Sequence, residues 1–248
     1  MSSRMLYRLS GLALLLGSLL VVLFTIMQFV VFPEGNPDRS PDRYMSPLWQ
    51  PILLMMVLGL LLIVGGLPGM YARQAERAGW PGLIGFALTG FAMLLFSTFS
   101  ALYTFVIPLL DTHAQLLLTG YSDFSANGGR IPPLVVFFLG SVLVLNAGAF
   151  LLGLATIRAG VLPRAAGVAL VVAGPAALAL PLYSLFFFVP GLQGLGGLGD
   201  FLWFPFVILT LTAFAAFFFG LAGFGVALLS FQKVEAVPSQ PVVTEVTS

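Results

Sequence analysis

Long apolar blocks separated by short polar connections make up most of this chain. Six blocks exceed the about 20 residues that a helix needs to cross a bilayer at 1.5 Å per residue. The blocks are residues 9–32, 48–72, 80–110, 131–157, 165–189 and 201–231. They do not alternate in polarity, and they are far longer than the strands of a membrane barrel. The pattern predicts an all-α integral membrane bundle of six transmembrane helices within residues 1–232, followed by a disordered tail at residues 233–248.

The first block follows Arg4 and Arg8, as the apolar region of a signal peptide does. Its 24 residues exceed the about 7–15 of such a region. Pro33 and Glu34 then follow without a small-x-small cleavage pattern. We therefore expect this block to be retained as a membrane helix.

The composition indicates whether water or lipid surrounds the folded chain. The chain is 59% hydrophobic and 8% charged, against about 25% charged residues in a soluble domain. Its polar surface is too small to cover a globule in water, so lipid must surround most of it. The net charge of +1 implies no nucleic-acid partner. The chain has no cysteine, which excludes disulfides, thiol nucleophiles and cysteine-ligated zinc or iron–sulfur centres.

Basic residues indicate the orientation. With six crossings, both termini and the second and fourth connections share one side of the membrane. That side carries seven basic residues: Arg4, Arg8, Arg73, Arg77, Arg158, Arg164 and Lys233. The other side carries three: Arg39, Arg43 and Arg130. Because basic residues stay in the cytoplasm, both termini are predicted to be cytoplasmic.

A pattern recurs in alternate blocks. The first, third and fifth contain Gly-x-Ala-Leu near their cytoplasmic ends, and each ends in a proline 22 or 23 residues later: Gly11 and Pro33, Gly85 and Pro108, Gly167 and Pro190. The other blocks share a looser pattern: Pro51 and Gly66, Pro133 and Gly153, Pro205 and Gly220. This favours three tandem helical hairpins related by a pseudo-threefold axis along the membrane normal. Chance is the alternative, because Leu, Ala, Gly and Phe dominate the chain.

Ionisable side chains are missing from the middle of every block. Such residues usually mark ion paths and proton relays inside membranes. Their absence argues against a proton-coupled carrier, a voltage sensor or an ion pump. The sole histidine, His113, lies beyond the third block, so a pair of axial ligands for a transmembrane haem is lacking. We expect no cofactor.

Uncharged polar residues inside the blocks are the candidate ligand contacts. Asn146 lies in the middle of the fourth block, and Thr98, Ser100 and Thr104 cluster in the third. An amide in hydrocarbon is unfavourable unless it is bonded, so Asn146 is predicted either to contact a neutral ligand or to form an interhelical hydrogen bond. The hydroxyls can instead bond to carbonyls of their own helix.

Pro175 and Pro181 lie inside the fifth block. Each removes a backbone hydrogen bond and favours a kink. The kink either lines a pocket or moves, or it is a static bend that fits a neighbouring helix, and the static bend is favoured.

The connection after the third block contains Asp111 and His113. Together they could offer two ligands to a metal or form an acid–base pair. The spacing is unspecific and no third ligand is evident, so a solvated loop is the favoured interpretation. We predict no metal site and no catalytic residue.

One segment resembles a known pattern. Residues 69–79, Gly-Met-Tyr-Ala-Arg-Gln-Ala-Glu-Arg-Ala-Gly, followed by Gly-Leu-Ile-Gly-Phe at 82–86, resemble a stretch of uncharacterised multi-pass bacterial membrane proteins. The resemblance covers about a tenth of the chain. It implies a bacterial cytoplasmic membrane with this connection on the inner side, and it transfers no activity.

These observations leave three hypotheses for function. The first is a non-enzymatic structural, accessory or regulatory component that packs in the lipid bilayer against another membrane protein or itself. The second is a carrier or binding protein for a neutral or hydrophobic small molecule, based on Asn146, the hydroxyl cluster and the prolines. The third and weakest is an outer-face membrane enzyme that uses Asp111 and His113.

Overall fold

The structure is a computed structural model that describes residues 3–31, 46–110, 133–178 and 196–230. All regular structure in these ranges is helical, which confirms the all-α prediction. The helices are α1 (Ser3–Val31), α2 (Trp49–Ala101), α3 (Pro133–Ala159), α4 (Arg164–Ala177) and α5 (Gly196–Ser230). A π-helical segment, Leu102–Val106, and a 3-10 turn, Ile107–Leu109, extend α2.

Four helical stretches in the described ranges are long and apolar enough to cross a membrane. They are Met5–Gln28, Trp49–Leu109, Pro133–Ala159 and Ile208–Ser230. Helix α4 is apolar but shorter, and the predicted block 165–189 is described only as far as residue 178. These stretches support a membrane-embedded protein. Pro181 and the predicted tail, 233–248, lie outside the described residues.

Helix α2 folds back on itself. A straight helix of its 53 residues would be about 80 Å long. However, the rings of Tyr71 and Phe86 stack with centroids 4.8 Å apart. The indole N–H of Trp49 also donates to the carbonyl of Tyr103 at 3.4 Å. These contacts define two antiparallel arms, the first arm (49–78) and the second arm (80–101).

The reversal takes place at Gly79, whose φ of 59° and ψ of −163° are not helical. This region of backbone conformation is essentially restricted to glycine. Pro81 suits the start of the second arm, because proline is tolerated in the first turn of a helix, where its missing N–H would have no helical partner. The sequence predicted a polar connection at residues 71–79, in which residues 71–77 could also continue the second helix. The chain stays helical up to Gly79, in agreement with that second possibility.

The helical segments form a closed ring in chain order. Helix α1 packs on the first arm of α2, and the second arm packs on α3. Helix α3 then packs on α4, α4 on α5, and α5 returns to α1. Fully buried apolar side chains fill the centre of the ring: Leu14, Leu60, Ile63, Leu67, Leu152, Leu170, Leu221 and Phe224.

Glycines let neighbouring backbones touch at several seams of this ring. A Cβ added to Gly17 would lie 2.6 Å from the carbonyl oxygen of Gly59, where α1 meets the first arm. A Cβ added to Gly153 would lie 2.7 Å from the carbonyl oxygen of Gly167, where α3 meets α4. Such contacts are typical of membrane helices, whose association depends on close packing rather than on the hydrophobic effect.

Candidate functional site

Asn146 lies where α3, α4 and α5 meet. Its side chain is 6% exposed, and a Cβ added to Gly174 of α4 would lie 3.0 Å from its backbone carbonyl oxygen. Beside it is a cavity of about 20 Å³. The remaining lining residues are Leu145, Ala149, Ala173, Gly174, Ala213, Phe214 and Phe217. The small side chains of this lining leave the space open between closely packed helices.

The amide nitrogen of Asn146 has no hydrogen-bond partner within the part of the chain that the structure describes. Leaving a buried polar group unpaired costs about 1–3 kcal/mol. The cavity exceeds the roughly 10–15 Å³ that one water molecule needs. The cavity can therefore accept one water molecule, or one oxygen atom of a larger guest, beside Asn146.

Thr210 adds a second unpaired group near this junction. It lies on α5 three and seven residues before Ala213 and Phe217, so it shares their face of the helix. Its side chain is 9% exposed, and its hydroxyl oxygen has no partner among the described residues. Two buried groups that can donate hydrogen bonds thus lie on the helices that enclose the cavity.

The structure separates the predicted hydroxyl cluster from Asn146. Thr98 is exposed and donates to the carbonyl of Leu94 at 3.0 Å. Ser100 and Thr104 are buried, and each donates to the carbonyl four residues before it, at 2.8 and 2.7 Å. These are the bonds to their own helix that were predicted as the alternative to ligand contacts. None of the three residues lines the Asn146 cavity.

A second space opens between α1 and α5. This apolar groove has a volume of about 360 Å³. It is lined by Val22, Thr25, Ile26 and Val30 of α1 and by Leu211, Phe214, Ala215, Phe218 and Phe219 of α5. Phe214 also lines the Asn146 cavity, so this residue of α5 is common to the groove and the cavity. Sequence reasoning missed this groove, because its lining residues resemble any other lipid-facing apolar residues.

A buried polar pair joins the first arm of α2 to α3. Gln74 and Thr156 are both fully buried, and the hydroxyl of Thr156 lies 3.0 Å from Oε1 of Gln74. The same hydroxyl lies 2.8 Å from the carbonyl of Leu152. Sequence reasoning placed Gln74 in a polar connection. Its burial follows from the continuation of the helix beyond residue 72.

Replacing Thr156 by valine tests this pair. The change removes the donor and leaves Oε1 of Gln74 buried, so we expect a loss of about 1 kcal/mol in the free energy of unfolding. Unfolding by a denaturing detergent, followed by circular dichroism, measures it. Thr212→Val is the matched control, because Thr212 is exposed and its hydroxyl bonds, among the described residues, to the carbonyl of Ile208 in its own helix. Equal losses in the two variants would show that the Gln74 contact contributes nothing.

Asp111 and His113, the predicted acid–base or metal-binding pair, lie outside the described residues. Within residues 3–31, 46–110, 133–178 and 196–230, no group of three or more His, Asp or Glu side chains could hold a metal ion. The described site therefore consists of the Asn146 cavity and the neighbouring groove, and its chemistry is hydrogen bonding to uncharged groups. Searches of protein families, of curated proteins and of solved structures found no match to this chain.

Proposed function

We propose that this protein is a non-enzymatic structural, accessory or regulatory component of a bacterial cytoplasmic membrane, which crosses the bilayer six times with both termini in the cytoplasm. The carrying observation is the closed ring, in which helices meet through glycines while large apolar side chains face outward. Leu19, Leu143 and Phe219 are among these exposed side chains. An apolar outer face of this kind suits packing against lipid and against other membrane helices.

The hairpin fold of α2 supports the six crossings, because its two arms would each cross once. The ring order also suits three hairpins: α1 with the first arm, the second arm with α3, and α4 with α5. Gly11 and Gly167 both approach the backbone of a neighbouring hairpin in the ring: Gly11 approaches Gly225 of the third hairpin, and Gly167 approaches Gly153 of the second. Gly85 instead approaches Leu152 of its own hairpin. Two of the three proposed copies therefore use this glycine in the same way.

Single cysteines test the topology cleanly, because the chain contains none of its own. We expect Pro47→Cys to react with a membrane-impermeant maleimide on intact cells. Glu76→Cys and Arg164→Cys should react only after the membrane is permeabilised. All three positions are exposed. Reaction of Glu76→Cys and Pro47→Cys from the same side would contradict the six crossings.

Cross-linking in native membranes tests the accessory role. A photoreactive amino acid placed at Leu143 or Phe219 faces away from the ring, so it should capture either a second copy of the chain or another membrane protein. The same substitution at Leu152, which is fully buried, is the control and should give no intermolecular product. A strictly monomeric protein without any cross-linked partner would contradict this proposal.

A second candidate function is the binding of a neutral or hydrophobic small molecule. The unpaired amide nitrogen of Asn146, buried beside a cavity, favours it. Native mass spectrometry of the protein, released directly from membranes, should then detect a bound uncharged molecule. Asn146→Leu should reduce the occupancy about five- to tenfold, as expected for one buried hydrogen bond. A spectrum without any adduct would rule this candidate out.

A further inference from the structure

Helices α1 and α5 touch near one end and separate toward the other. At the contact, a Cβ added to Gly225 would lie 2.7 Å from the carbonyl oxygen of Gly11. Farther along, Phe214, Phe218 and Phe219 project from α5 where α1 carries Val22 and Ile26. Backbones can meet only where side chains are absent, so bulky rings at the other end hold the helices apart. The groove is the wedge between them.

This wedge faces the surroundings of the bundle. Val30 and Phe219 are 69% and 66% exposed. The hydroxyl of Thr25, the one polar side chain of the lining, already donates to the carbonyl of Val21 at 2.9 Å. An empty space here would forfeit dispersion contacts on every wall, and the lining offers water no free polar partner. A flexible hydrocarbon chain would restore the dispersion contacts of these walls without needing a polar partner.

The inner wall of the groove leads to polar groups. Phe214 lines both the groove and the Asn146 cavity. An aromatic side chain can change rotamer without movement of the backbone. In the cavity that Phe214 shares with the groove, the amide of Asn146 offers a donor that has no partner in the described ranges. Because an amide nitrogen donates and does not accept, its complement is an acceptor oxygen.

We propose that the groove is a lateral binding site for a neutral amphiphile, with its hydrocarbon chain along α1 and α5 and an uncharged carbonyl or ester oxygen bonded to Asn146. Phe214 acts as the gate between the two parts. This inference rests on the second candidate function above, and it adds the route and the chemical class. The ligand is neutral because no lining residue of either space is charged, and an unpaired ion at this depth would be strongly destabilised.

The test uses the full-length protein in phosphatidylcholine vesicles. The probe is a long-chain fatty acid methyl ester that carries a diazirine on its chain, and labelled residues are identified by peptide mass spectrometry. An unlabelled ester and an alkane of the same length serve as competitors. We expect labels on the groove-lining residues of α1 and α5. The ester should compete about five- to tenfold better than the alkane, because it gains one buried hydrogen bond.

Three variants separate the parts of the proposal. Asn146→Leu should abolish the advantage of the ester and leave competition by the alkane unchanged. Ala215→Phe fills the groove, so it should suppress labelling without touching Asn146. Phe214→Ala removes the gate and should strengthen competition by the ester. Ala147→Phe, at an exposed position of α3 outside both spaces, is the matched control and should leave labelling unchanged.

Equal competition by ester and alkane, unaffected by Asn146→Leu, would overturn the inference and leave a groove that holds bulk lipid only. Labels scattered over all lipid-facing helices, insensitive to Ala215→Phe, would overturn it as well. If either of these results is obtained but the native mass spectrum still shows an adduct, binding through the groove is refuted and the second candidate function stands. Loss of that adduct as well would refute both.

Discussion

Replacing Gly85 by leucine is expected to lower the free energy of unfolding by about 3 kcal/mol. A Cβ at this position would lie 2.9 Å from the Cα of Leu152 and would meet the backbone nitrogen of the same residue even more closely. Rigid backbone cannot move aside as a side chain can, so the second arm of α2 and α3 must separate. The loss exceeds the gain of roughly 1 kcal/mol that leucine brings in helix propensity over glycine.

The control is Gly65→Leu in the first arm. Gly65 is exposed, and a Cβ added there would meet nothing within 4 Å. Its substitution therefore isolates helix propensity and should leave stability unchanged or slightly raised. Unfolding by a denaturing detergent, followed by circular dichroism, compares the two variants. Coincident unfolding midpoints would mean that the close seam between the second arm and α3 does not exist.

The second large effect is expected at Gly79. Alanine is strained at its backbone angles, so Gly79→Ala should cost about 1–3 kcal/mol and should favour a continuous helix through the corner. The antiparallel arms would then lose their contacts. A cysteine pair at Tyr71 and Phe86, whose rings stack in the structure, should be joined by a short bis-maleimide in the parent, and joined far less in the Gly79→Ala background.

Gly160→Ala provides the comparison for Gly79→Ala. Gly160 also has a positive φ, 62°, and a Cβ added there would meet nothing within 4 Å. It carries only the backbone penalty of about 1–2 kcal/mol for a left-handed residue, and it lies outside the cross-linked hairpin. Cross-linking between positions 71 and 86 should therefore survive in this variant. Equal cross-linking in both variants would show that Gly79 does not determine the reversal.

The helical class could be predicted because it depends on local hydropathy, which the sequence states directly. For residues 71–77 the sequence left two possibilities, a polar connection and a continuation of the second helix. These residues are polar, which suggests a connection, but Arg, Gln, Ala and Glu are also strong helix formers. Tertiary packing decides between the two, and here Gln74 finds a buried partner on α3. The helix therefore continues up to Gly79, whose backbone angles are not helical.

Some features of the candidate site could also be predicted from the sequence, and others could not. The bonds of Ser100 and Thr104 to their own helix were foreseeable, because they join residues four apart. That Asn146 is buried could be inferred from its place in an apolar block. That its amide lacks a partner and borders a cavity depends on which turns of α3, α4 and α5 cross. The groove depends on the divergence of α1 and α5, which are far apart in sequence.

The contact between Gly11 and Gly225 joins the first described helix to the last, so the ring can close only after α5 has been synthesised. Helix α1 leaves the ribosome first among the described helices, yet one of its two neighbours in the ring leaves last. Until α5 is inserted, the surface of α1 that contacts α5 lacks its partner, and chaperones, insertases or helices of other proteins can bind to it. The same contact predicts the result of a circular permutation in which the chain is opened between α3 and α4 and its present ends are joined. This variant should form the same bundle, but α4 would then be the helix that is synthesised first and lacks one neighbour until the end.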